Sequence, residues 1–118
     1  MVEGVNDSYV KICLDPVNNL AKGEGTHEVI SALGNHTVNF HCKDYTVKRK
    51  WGGLGFDVEG CVAGEGLLDL ELVQATLKGC NSCTLERWTP WQGDNDSTRK
   101  LESEWVVRSV ANLKKTIN

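Results

Sequence analysis

Cys80 and Cys83 stand three apart in the stretch KGCNSCTLERWTPW, residues 78–91, and Trp88 and Trp91 follow them closely. A dithiol redox pair needs its first sulfur at a helix N-terminus, where the dipole lowers the thiol pKa. Here Lys78-Gly79 reads as a helix stop with a strand after it, so Cys80 lies at the wrong end of the helix. Half of a zinc site is the second chemistry, because zinc sites often draw two ligands from such a knuckle. The other half would come from His36, His41, Cys42 or Cys61. His41 and Cys42 are adjacent on an expected strand and point to opposite faces, and no second knuckle exists, so no metal ligand is assigned.

A disulfide framework is the reading the cysteines favour. Cys13, Cys42, Cys61, Cys80 and Cys83 allow two bridges and one free thiol. Each bridge would stabilise a small domain by roughly 2–4 kcal/mol.

The tryptophans are the next candidates. There are four, against two phenylalanines and two tyrosines. Trp88 and Trp91 flank Thr89-Pro90, and a proline removes a ladder donor and so ends a strand or makes it an edge. Beside that edge runs a polar loop. Trp88, Trp91, Gln92, Asp94 and Asp96 therefore form the expected binding surface, for a sugar ring or a partner protein. Trp51 and Trp105 are expected in the core.

No catalytic residue is assigned. Asp69 and Glu71 alternate with leucines and read as a solvated face. His27, His36 and His41 have no recognisable nucleophile or carboxylate partner in sequence. Gly52-Gly53-Leu54-Gly55 lacks the Lys-Ser/Thr tail of a phosphate-binding loop. The expectation is a non-enzymatic protein without a cofactor.

Alternating apolar residues predict the elements that carry these groups. Residues 8–14, Thr37–Cys42, 45–51 and 54–58 read as strands, with Gly52-Gly53 closing a hairpin. Residues 27–33 fit a strand or a helical turn. Residues 67–77 fit a helix more closely than a strand, and 84–88 would pair with 100–110 as two further strands, followed by a fraying tail. The fold class is mainly β, a compact antiparallel sheet or small β-sandwich with one helix near 67–78, or α+β as the alternative. One domain suits 118 residues.

A net charge of −3 argues against phosphate-driven nucleic-acid binding, and no apolar run approaches a membrane span. The N-terminus lacks the basic start and apolar core of a signal peptide. Three acceptor sequons, at Asn6, Asn35 and Asn95, and the five cysteines favour a secreted chain whose signal lies outside this sequence.

Two resemblances add to this. Asn39-Phe40-His41-Cys42-Lys43-Asp44 resembles the corresponding strand of the plant self-incompatibility-type secreted proteins, although the closing cysteine pair of that family is missing near Trp105. In format the whole chain resembles the small secreted effectors of plant-pathogenic fungi, including rust avirulence-type proteins. That resemblance implies virulence activity, delivery into a host cell and recognition by a host protein or immune receptor. The alternatives are a carbohydrate-binding β-sandwich module and a small zinc-stabilised module.

Overall fold

Strands and helices are interspersed along this chain. In the computed structural model, which describes residues 2–117, the order is α1 (Val2–Val5), β1 (Ile12–Leu14), α2 (Thr26–Leu33), β2 (Thr37–Cys42), β3 (Tyr45–Arg49), β4 (Phe56–Gly60), α3 (Leu70–Leu77), β5 (Ser82–Leu85) and α4 (Asn95–Ile117). These elements form two compact units. One comprises the chain up to Cys42 together with Glu71–Glu86, and the other Lys43–Leu70 with the chain from Arg87 onward.

The first unit is built on a three-stranded parallel sheet in the order β1-β2-β5. Parallel neighbours need a long crossover, and the segment between β1 and β2 supplies one that contains α2. Phe40 and Cys42 point to one face of β2 and are wholly buried. With Leu14 of β1, Val29 and Ile30 of α2 and Val73 of α3 they make the core of this unit. Burying side chains of this size contributes about 1.5–3 kcal/mol each. The other face of the sheet is polar: the Cys13 thiol donates to Asn39 Oδ1 at 3.2 Å, and Asn39 Nδ2 donates to Ser82 Oγ at 2.6 Å. The alternation expected over Thr37–Cys42 is therefore real, with Asn39 and His41 on the polar side.

The second unit contains the antiparallel hairpin β3–β4, registered Val47 to Val58 and Lys48 to Asp57. Its turn closes through Lys50 N–H donating to the Gly55 carbonyl, with Gly52 at φ 76°. At its base the buried Asp44 carboxylate accepts the N–H groups of Tyr45, Gly64, Gly66 and Leu68 at 2.8–3.0 Å. That one side chain shapes the loop after β4. From α4, Ser109 Oγ accepts the Ala63 N–H and Asn112 Nδ2 donates to the Ala63 carbonyl, each at 3.0 Å.

Several expectations are corrected. The fold is α+β, not mainly β and not a sandwich: the larger sheet is parallel and the longest element is a helix. Residues 100–110, expected as a strand, lie within the 23-residue α4, and so does the expected fraying tail up to Ile117. Their buried and half-buried positions, 101, 102, 105, 106, 109, 112, 113 and 116, recur at helical spacing. Residues 27–33 are helical, and the helix near 67–78 is α3. Trp51, expected in the core, is fully exposed at the hairpin turn.

The disulfide framework is also overturned, since Cys13, Cys42, Cys61, Cys80 and Cys83 are all free thiols. The sheet sends Cys13 to its polar face and Cys42 into the core. Cys80 instead aims its thiol at the carbonyls of Thr76 and Thr37, 3.5 and 3.6 Å away.

Candidate functional site

Each strand of the parallel sheet carries, within one residue of its end, a group that can hold a cation. Asp15 follows Leu14, the last residue of β1. His41 is the penultimate residue of β2, and Glu86 follows Leu85, the last residue of β5. Because the strands are parallel and adjacent, all three groups meet at one edge of the sheet. One ligand atom from each lies within 4.8 Å of the other two. The carboxyl edge of a parallel sheet is where α/β proteins place their ligand sites.

Local structure fixes each side chain. Asp15 Oδ1 accepts the N–H of Val17 at 3.0 Å and of Asn18 at 3.2 Å, so the turn after β1 holds its carboxylate plane. Glu86 donates its own N–H to the Cys42 carbonyl at 3.0 Å, extending the ladder one residue past β5. His41 is gripped on both sides: Nδ1 lies 3.2 Å from Glu86 Oε2, and Nε2 lies 3.3 Å from Cys13 Sγ.

The Cys13 sulfur lies within hydrogen-bond reach of both Asn39 Oδ1 and His41 Nε2. A proton on Nδ1, or a cation beside it, would bridge the imidazole to Glu86 Oε2. With Asp15 beside them, two carboxylates and an imidazole make a donor set of the kind that divalent ions of the first transition row take.

Two of the cysteines differ in acidity. The Cys83 thiol is lowered to about 7, first by the hydrogen bond from the Cys42 thiol, against the opposing effect of burial. In the second unit, burial, reinforced by Asp44 and Glu65, pushes Cys61 up to about 12.

The residues expected to bind a partner belong to the second unit. Lys43 Nζ sits 4.3 Å over the ring of Trp88, occupying one of its faces. Trp91 is 64% exposed. Gln92 donates its backbone N–H to Thr98 Oγ1 and its side-chain amide to the Pro90 carbonyl, while Asp94 Oδ1 accepts the Ser97 N–H. Asp96 stands in the first turn of α4. The Gln92–Asp94 part of the loop thus serves to start α4.

Of the cation-site residues, His41 was among the zinc candidates, but its partners were missed. By sequence alone Asp15 opens the turn-like stretch DPVNN and Glu86 lies inside the expected strand 84–88. One signal was present: the short apolar runs ICL-D, VNF-H and CTL-E each stop at a carboxylate or imidazole.

No protein-family model matches the chain, and no solved structure matches it. Over 113 residues, 93% of this chain, it is 35% identical to a protein of Pectobacterium atrosepticum named 3-oxo-isoapionate decarboxylase. The chain spans 41% of that relative's length. The name is that of an enzyme. This overturns the expectation of a non-enzymatic protein acting by binding alone, whether as an effector or as a carbohydrate-binding or zinc-stabilised module.

Proposed function

We propose that this chain carries part of the active site of a decarboxylase acting on 3-oxo sugar acids, and that Asp15, His41 and Glu86 hold its divalent cation. The observation that carries the reading is the convergence of these three groups at the carboxyl edge of one parallel sheet. Similarity to a relative named 3-oxo-isoapionate decarboxylase supplies the reaction class.

The chemistry suits such a site. In a 3-oxo acid the breaking C1–C2 bond lies next to a ketone. Its electron pair moves into a C2–C3 double bond as carbon dioxide leaves, and the ketone oxygen becomes an enolate. C2 then takes a proton. Negative charge develops on that oxygen, and a bound divalent cation would supply the positive charge that stabilises it. The protein's part is to orient the ligands: Asp15 through its turn, Glu86 through the ladder to Cys42, and His41 through Cys13 and Glu86.

Titration calorimetry with Mn²⁺ tests the site directly. The expected result is one ion per chain, with affinity reduced at least about tenfold in His41→Ala. Equal affinity in both proteins would remove the site. Carbon dioxide release from 3-oxo-isoapionate, dependent on Mn²⁺ and absent in Glu86→Gln, tests the reaction.

A further inference from the structure

We infer that Cys13 is a positioning residue for the cation site: its sulfur holds the His41 ring so that Nδ1 faces Glu86 and Asp15. The inference rests on the cation reading above and adds to it the residue that orients the central ligand.

The argument runs across the polar face of the sheet. Ser82 of β5 accepts from Asn39 Nδ2, which leaves Asn39 Oδ1 turned toward β1. There it accepts the Cys13 thiol at 3.2 Å. The same sulfur lies 3.3 Å from His41 Nε2. Ser82, Asn39, Cys13 and His41 thus form one hydrogen-bonded chain over all three strands, with Cys13 two residues before Asp15 and Ser82 four before Glu86. An imidazole that ligates through one nitrogen is normally fixed by a partner on the other, and such partners influence affinity nearly as strongly as ligands do. Cys13 occupies that place. Among the described residues it has no disulfide to form, and its side chain faces away from the core that Leu14 and Phe40 enter.

Cys13→Ala and Cys13→Ser separate this role from mere packing. Three readouts are taken on the full chain: Co²⁺ affinity, the Co²⁺ electronic spectrum, and the His41 tautomer by nitrogen-15 NMR without cation. Circular dichroism checks that each variant is folded. The expected result is a 10–100-fold loss of Co²⁺ affinity in Cys13→Ala. Cys13→Ser, which keeps a donor and an acceptor, should restore most of it. In the cation-free wild type the proton should be on Nε2, and Cys13→Ala should mix the tautomers.

A thiolate-to-cobalt charge-transfer band lost in Cys13→Ala would make Cys13 a ligand and overturn the positioning role. So would a wild-type proton on Nδ1, or a tautomer and affinity both unchanged in Cys13→Ala. Failure of the wild type to bind Co²⁺, with the tautomer shift still present, would instead overturn the cation reading and leave the orientation of His41 by Cys13 standing.

Discussion

Two carboxylates and an imidazole whose ligand atoms lie within 4.8 Å of one another can share one cation. Asp15, His41 and Glu86 are in this position at the carboxyl edge of the parallel sheet. Glu86→Gln removes one of the facing charges. With Mn²⁺ at a hundred times its Kd the wild type should gain about 2.7 kcal/mol and the variant far less. Thermal melts with and without Mn²⁺ read both effects, and a variant stabilised by Mn²⁺ as strongly as the wild type would refute the assignment. Thiol chemistry offers a second residue-level prediction. With the Cys83 pKa near 7 and that of Cys61 near 12, limited alkylation at neutral pH followed by peptide mapping should label Cys83 first and Cys61 last. Cys42→Ala removes the hydrogen bond to the Cys83 thiolate, so it should slow labelling of Cys83 at pH 7.

Elements here are set by end groups and loops as much as by their apolar faces. Asp94 caps α4, and the Ser97 N–H that it accepts holds its carboxyl below the ordinary value of 3.8. A folded-state pKa below the unfolded one gives stability that is present above the unfolded pKa and lost as pH falls through the folded one. Asp94→Ala should therefore lower the α4 melting temperature at neutral pH, followed by circular dichroism, and the gap from wild type should close in strong acid. A gap that persisted there would mean the cap does not act through its charge. The loop after β4 depends on Asp44 and on the absence of a side chain at position 66. A Cβ on Gly66 would overlap the Asp44 carboxylate and the Tyr45 carbonyl. Gly66→Ala should cost about 1–3 kcal/mol by urea denaturation. α4 also shows why a strand was expected where a helix forms. Trp105-Val106-Val107 has high strand propensity, but propensity is a weak preference beside a cap, a continuous stripe of covered positions and two docking side chains, Ser109 and Asn112.

At the scale of the whole chain, five free thiols remove the cross-links on which a disulfide-stapled domain would depend. Unfolding without reductant should expose five alkylatable cysteines, and dithiothreitol should leave the melting temperature unchanged; three or fewer reactive thiols would contradict the structure. Local pattern alone determined the period-2 strand Thr37–Cys42, the hairpin around Gly52-Gly53, the helix after Leu70 and the lack of a membrane-length apolar run, because each depends on neighbours a few residues apart. Tertiary structure alone decided that β1, β2 and β5 lie parallel and side by side. Strand order is set by burial across segments separated by tens of residues, which no local period encodes. That order brings Asp15, His41 and Glu86 to one point. In sequence they are a turn residue, an isolated histidine and a strand residue, and their chemistry exists only where the three strand ends meet.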